Sequence, residues 1–198
     1  MVYFDATVKK TKLKYPNTPV ELSLAIRLIE KGILPSPESQ TWMDLGAGKG
    51  LFTNALASLL PPHSTVYAID KDPTALRSLT LSNAVITLKK LQKDFISYDL
   101  DAIVANGVLM ANALHYVSNK IVFLRQLKKH FIPGSRLIVV EYDTDRANAW
   151  VPYPIRYTSL QPLLEQSGFH AVVKMDETPS IFNNNLMYSA VAVYGDDR

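Results

Sequence analysis

Short apolar, β-branched runs alternate with helical stretches along most of this chain, and no other feature restricts its fold as much. Strand-like runs at residues 41–45, 65–69, 85–91, 102–105 and 136–141 are interleaved with helical patterns at 51–60, 120–131 and 159–167. The punctuation agrees: Pro61 and Pro62 stop one helix, Asp72 and Pro73 make an N-cap and first helical position, and Gly168 ends the last helix. Strands joined through helices run parallel with right-handed crossovers, so the expected fold class is α/β, a three-layer αβα sandwich. Residues 171–175 and 187–194 depart from the alternation. The loop between them is too short for a packed helix, so the final strand is expected to return antiparallel as a hairpin. A chain of 198 residues, 47% hydrophobic and 20% charged, is long enough for one well-buried core. The expected organisation is a single domain over 1–198, with 1–36 as an N-terminal lid or helix and 37–198 as the core; the helix is placed at 19–31.

The strongest local signal is Trp42-Met43-Asp44-Leu45-Gly46-Ala47-Gly48-Lys49-Gly50, between the first strand and the next helix. Glycines let the backbone turn sharply and let a ligand lie against the amides, while the helix start presents unpaired N–H groups. A nucleotide-like ligand fits such a crevice at the carboxyl ends of parallel strands. A dinucleotide fingerprint needs its third glycine at position 51, which is Leu51, and a Walker loop needs Ser or Thr after Lys49, which is followed by Gly50. Asp70 closes the second strand 20 residues beyond Gly50, where an acid can accept hydrogen bonds from both ribose hydroxyls. Asp72 is free to cap the helix that follows. Asp94 and Phe95, after the third strand, pair a carboxylate with an aromatic, suited to an adenine amino group and ring.

These residues, taken in order, resemble a class I S-adenosylmethionine-dependent methyltransferase from about Pro19 to Tyr194. The resemblance rests on the Asp44 to Gly50 motif, Asp70, the pair Asp94 and Phe95, and Asn106 followed by Ala111-Asn112-Ala113-Leu114-His115-Tyr116. It implies a Rossmann-like seven-stranded, mostly parallel sheet with an antiparallel C-terminal hairpin strand, and S-adenosyl-L-methionine as cofactor with S-adenosyl-L-homocysteine as product. It also implies that Asp44, Gly46, Ala47, Gly48 and Gly50 surround the methionine end of the cofactor. Asp70 then holds the ribose, Asp94 and Phe95 flank the adenine and Asn106 the sulfonium side, with Lys71 also among the cofactor-binding residues.

The sulfonium already activates the methyl group, so the protein's task is to align the acceptor and exclude water. A general base is useful where the acceptor is a hydroxyl or a poorly acidic carbon, and His115 is the candidate, with Asn112 on the same side one helical turn earlier. Trp150, Tyr153 and Arg156, in the loop after the fifth strand, are expected to line the acceptor pocket, Arg156 facing an acidic substrate group; the alternative is that the aromatics pin a long loop to the body. His63, His130 and His170 are expected to be solvated. Tyr3, Phe4 and Tyr15 are candidates for a lid.

The chain has no cysteine, which excludes a zinc ribbon, an iron–sulfur cluster, radical use of the cofactor and a cysteine nucleophile. No metal is expected; Asp143 and Asp145 are the nearest to an acidic ligand pair. A net charge of +3 and a pI near 9.0 fall short of the basic surface of a nucleic-acid binder. The expected partner is a small-molecule acceptor. RNA or protein methylation, motivated by Lys89, Lys90, Lys93, Arg125, Lys128 and Lys129, remains open, as does non-catalytic cofactor binding. Asn106-Gly107-Val108 is not the Asn-Pro-Pro-aromatic clamp associated with exocyclic amines. No apolar run reaches the roughly 20 residues of a bilayer span and the start lacks a secretory core, so the expected location is cytoplasmic.

Overall fold

The computed structural model describes residues 19–97, 100, 102–179 and 186–195. Tyr3, Phe4 and Tyr15, and with them the proposed lid, lie outside these residues.

Helix α1 (Pro19–Ile29) leads through a proline-bearing connector into strand β1 (Thr41–Leu45), helix α2 (Leu51–Leu59) and strand β2 (Thr65–Asp70). Helix α3 (Pro73–Ser78), strand β3 (Thr87–Gln92), strand β4 (Ala105–Ala111) and helix α4 (Lys120–Leu127) follow. Strand β5 (Phe131–Tyr142), helix α5 (Tyr157–Gln166) and strands β6 (Phe169–Pro179) and β7 (Leu186–Tyr194) complete the described chain. The seven strands form one sheet in the order β3-β2-β1-β4-β5-β7-β6. Strands β1 to β5 pair in parallel, and β7 is antiparallel to both β5 and β6, so the expected terminal hairpin is present. From β1 the chain winds outward to β3, then crosses back to β4 on the other side of β1. That reversal opens a crevice between the carboxyl ends of β1 and β4.

Period-two alternation supplies the two faces of the sheet. Met43, Leu45, Val108, Met110, Leu137 and Val139 pack with Phe123, Leu124 and Leu127 of α4 and Leu160 and Leu164 of α5. Trp42, Leu109, Ile138 and Val140 face the opposite way, onto Leu28 and Ile29 of α1 and Ala55 and Leu56 of α2. These are the three layers.

Strand β4 begins where the sequence places its end. This strand is expected at 102–105, with Asn106 at its carboxyl end. Instead Asn106 sits at the amino end, where its Oδ1 accepts the Thr41 N–H at 2.8 Å and starts β1. Gly107 is held for another reason: a Cβ there would stand 2.4 Å from the Trp42 indole. The helix expected at 120–131 becomes α4 plus a 3-10 turn at Lys128–His130, and the Pro133-Gly134 turn is taken up inside β5, beside a shift in its register with β4. His130 is buried, not solvated: its Nδ1–H donates to the Ile103 carbonyl at 2.8 Å, and burial lowers its pKa. His63 is exposed, as expected.

Candidate functional site

The glycine turn follows β1 directly, and Gly46, Gly48 and Gly50 all have positive φ, at 81°, 54° and 89°. The turn is fastened to the end of β2 by the amides of Gly46 and Ala47, which donate to the Ile69 carbonyl at 2.8 and 3.1 Å. At Gly46 a side chain is doubly excluded: the backbone is left-handed, and a Cβ would stand 2.8 Å from that of Ala113 and 3.5 Å from the Phe95 ring. Asp70 locks the arrangement. Its Oδ2 accepts the Gly48 N–H and its Oδ1 the Asp72 N–H, both at 2.8 Å, and each oxygen keeps a second lone pair for a ligand hydroxyl. Asp72 in turn caps α3 by accepting the Thr74 N–H.

Beneath the turn, Asp44 is 1% exposed and accepts the Thr53 hydroxyl at 2.6 Å. Burial pushes its carboxyl up to about 7; the Thr53 hydrogen bond opposes the rise and the Asp70 carboxylate adds to it. Asp94 caps the 3-10 turn Phe95–Ser97 through the Ile96 N–H at 3.0 Å. Phe95 packs edge-on to Phe123 at 5.9 Å between centroids, so it is a core side chain that also shows a face to the crevice.

Two adjoining cavities occupy the carboxyl end of the sheet. One, of about 370 Å³, is lined by Gly46, Asp70, Lys71, Asp94, Phe95, Ile96, Asn112, Ala113, Tyr116, Ala149 and Trp150. The other, of about 470 Å³, is lined by Asn112, His115, Tyr116, Tyr142, Asn148, Trp150 and Val151. Asn112, Tyr116 and Trp150 belong to both walls. Every strand of the parallel part contributes through its carboxyl end: β1 the glycines, β2 Asp70, β3 Asp94, β4 the segment 112–116 and β5 the loop 142–151.

His115 lies in the 3-10 turn Leu114–Tyr116 and is 2% exposed. Its Nδ1 meets Glu141 Oε2 at 2.7 Å, and its backbone N–H donates to Glu141 Oε1 at 3.0 Å. Glu141, near the end of β5, is itself 1% exposed. With Glu141 as a carboxylate, which accepts and cannot donate, the hydrogen lies on Nδ1, and in the neutral imidazole the lone pair is then left on Nε2. The Tyr116 and Tyr142 rings stand 4.4 and 6.4 Å from the imidazole. Asn112 has φ 52°, donates its N–H to the Val140 carbonyl at 2.8 Å, and carries a buried Oδ1 with no partner.

Of the residues singled out from sequence, Gly46, Asp70, Lys71, Asp94, Phe95, Asn112 and Trp150 come together on the first cavity, and Asn112, His115 and Trp150 on the second. Ala47, Gly48 and Gly50 shape the turn beside them, and Asp44 supports it from below. Three residues are placed elsewhere. Asn106 lies at the opposite end of β4, for the reason given above, and lines a separate depression with Trp42 and Arg136. Tyr153 donates its N–H to the His115 carbonyl at 3.0 Å and receives Lys120 on its own carbonyl at 2.7 Å, which braces the histidine turn from behind. Arg156 pairs with Asp145 at 2.9 Å on the surface. Tyr153 thus ties the loop to the body, whereas the Arg156 pair stays within the loop. Asp143 accepts the Tyr157 N–H, and among the described residues no group of three His, Cys, Asp or Glu side chains is placed to hold a metal.

Sequence reasoning assigned no role to Glu141, Tyr116, Tyr142 or Asn148. Glu141 had a visible signal, an acid closing the apolar run 137–140; the others depend on how the loops fold back.

A family model described as a methyltransferase domain matches residues 43–137. No curated protein matches the chain in sequence. Among solved structures, a SAM dependent methyltransferase from Aquifex aeolicus is similar at a TM-score of 0.66 and 18% identity, covering 90% of this chain and 94% of that one. Magnesium protoporphyrin IX methyltransferase from Synechocystis PCC 6803, with bound SAM, gives 0.63 and 17%, covering 89% and 78%. Phosphoethanolamine N-methyltransferase 2 from Haemonchus contortus, in complex with S-adenosyl-L-methionine, gives 0.68 and 11%, covering 88% and 53%. The chain has the class I S-adenosylmethionine-dependent methyltransferase fold, and its residues 43–137 match the methyltransferase-domain model.

Proposed function

We propose that the chain moves the methyl group of S-adenosylmethionine, by in-line displacement, onto a small-molecule acceptor held beside His115. The observation that carries this reading is the junction of the two cavities: one presents the glycine turn and two strand-end acids, the other presents a histidine, and Asn112 and Tyr116 line both.

The residues of the first cavity fit the cofactor. The left-handed turn borders the cavity at Gly46, Asp70 has lone pairs available for ribose hydroxyls, and exposed Asp94 stands beside the Phe95 ring, as an adenine requires. When bound, the cofactor supplies a methyl group already activated by the sulfonium. The chain's own contribution is to hold the acceptor on the line of displacement and keep water out, which is worth on the order of 7–11 kcal/mol at best. His115 is positioned to take a proton from the acceptor at Nε2. The second cavity carries neither Lys nor Arg on its wall, which favours a small acceptor over a polyanion such as RNA. A cytoplasmic setting belongs to the same reading.

Titration calorimetry with S-adenosylhomocysteine tests the cofactor half. Saturable one-site binding is expected, and no heat at millimolar ligand would overturn the assignment.

A further inference from the structure

We propose that the cavity beside His115 takes a neutral aromatic hydroxyl compound, and that Glu141 is the positioning residue that keeps His115 Nε2 free to receive its proton. This rests on the methyl-transfer reading above and names the acceptor class for it.

The argument starts from Glu141. Both its oxygens are engaged by one residue, Oε1 by the His115 backbone N–H and Oε2 by Nδ1, and both side chains are almost wholly buried, at 3% and 1% exposure. Holding the turn in place needs only the backbone contact. The second contact fixes the ring: it engages Nδ1, leaves Nε2 as the ring nitrogen not bonded to Glu141 on a residue that lines the cavity, and offers a negative partner to the imidazolium that forms once a proton arrives.

The cavity wall then separates the acceptor classes. A carboxylic acid is ionised near neutrality and needs no base. An alkylamine arrives as an ammonium ion, but no carboxylate lines this wall, and Glu141 behind it is only 1% exposed. A phenol arrives neutral and holds its proton until attack, so a lone pair on Nε2 is what it lacks. Its flat ring also matches the Tyr116, Tyr142 and Trp150 rings of the wall, where an aliphatic alcohol gains less, and about 470 Å³ is ample for one or two fused rings. In the reaction the phenolic oxygen bonds the methyl carbon as the C–S bond breaks. The sulfonium becomes a neutral thioether, and the phenolic proton passes to Nε2, leaving His115 as imidazolium against Glu141.

The test uses the full chain labelled with nitrogen-15 at histidine, with S-adenosylhomocysteine added, the His115 signals being identified by their loss in His115→Gln. Wild type is expected to show Nδ1 protonated and Nε2 unprotonated, and phenol or 2-naphthol is expected to shift Nε2, whereas benzoate and benzylamine leave it unmoved. In Glu141→Gln the fixed tautomer is expected to be lost. Methyl transfer to 2-naphthol should fall by ~10²-fold or more in kcat, within the range for a positioned base, with calorimetric cofactor affinity unchanged. A protonated Nε2 in wild type, a shift caused by benzoate or benzylamine in preference to the phenols, or no shift with any phenol at its solubility limit would each overturn the proposal. The wild-type titration stands whether or not the variants fold. Failure of S-adenosylhomocysteine to bind wild type would overturn the methyl-transfer reading instead, so the two failures are distinct.

Discussion

Replacing Asp44 by asparagine is expected to flatten the dependence of folding stability on pH across the interval in which this carboxyl ionises. In the folded chain its pKa is pushed from 3.8 up to about 7, chiefly by burial. In the unfolded chain the same group ionises near ~4. Below that pH it is protonated in both states and carries no penalty. As pH rises towards 7 the unfolded chain releases its proton and the folded chain keeps it, so stability falls until Asp44 itself ionises. A rise from 3.8 to about 7 corresponds to roughly 4 kcal/mol, an upper bound because the surroundings relax around a buried carboxylate. Asparagine preserves an acceptor for the Thr53 hydroxyl and has no proton to lose. Urea unfolding of both proteins at a series of pH values measures the effect. His130, whose pKa burial lowers, contributes the opposite slope on the acid side, because its unfolded form gains a proton that the folded form resists, and this cancels in the difference between the two proteins. Identical pH profiles for wild type and variant would refute the reasoning. A cationic ligand also favours the ionised carboxyl, so wild-type affinity for S-adenosylmethionine should rise with pH over the same interval, and the variant should lack that rise.

Asp70→Ala removes an acceptor that holds the glycine turn and has lone pairs left for ribose, and it should weaken S-adenosylhomocysteine binding by about 1–3 kcal/mol in calorimetry; unchanged affinity in a folded variant would sink the ribose assignment. Gly46→Ala combines left-handed backbone with a Cβ 2.8 Å from that of Ala113, so a loss of about 1–3 kcal/mol in stability with loss of cofactor binding is expected from thermal unfolding and calorimetry. Asn112→Gly suits φ 52° better and deletes a buried acceptor without a donor, so the free protein should gain up to ~1 kcal/mol while ligand affinity drops. A variant that is less stable and binds equally well would show that Oδ1 serves the fold and not a ligand.

The parts of this molecule legible in its sequence are those fixed by local chemistry. Alternation gave the layers, Asp72-Pro73 gave the start of α3, and the glycines gave the turn, because each depends on residues a few positions apart. The errors fall where a distant neighbour decides. Asn106-Gly107 has the composition of a strand end, yet Trp42 of β1 demands a glycine beside it and Thr41 needs a capping oxygen, so both residues are drawn inside β4. His130 looks like a solvated helix-end histidine until the Ile103 carbonyl is brought against it. Arg156 and Tyr153 sit in the right loop but turn away from the cavity, one to Asp145 and the other behind His115, a choice made by the fold of the loop. Glu141 closes an apolar strand in plain view, but its meaning depends on His115, 26 residues away in sequence.

That last pairing also explains why one short segment governs both cavities. Residues 111–116 end β4 at the point where strand order reverses, so they have β1 on one side and β5 on the other. They are tied to both: Ala113 packs against the place where Gly46 lacks a side chain, while Asn112 and His115 bond to Val140 and Glu141 of β5. A displacement of the glycine turn therefore has a steric path to Ala113, and a change at Glu141 has a hydrogen-bonded path to the same six residues. For a reaction that depends on the line between donor carbon and acceptor atom, fastening both walls to a single turn removes the relative motion that would spoil that line. The left-handed Asn112 allows it, because the sharp turn it makes brings Ala113 back to β1 while His115 still reaches β5.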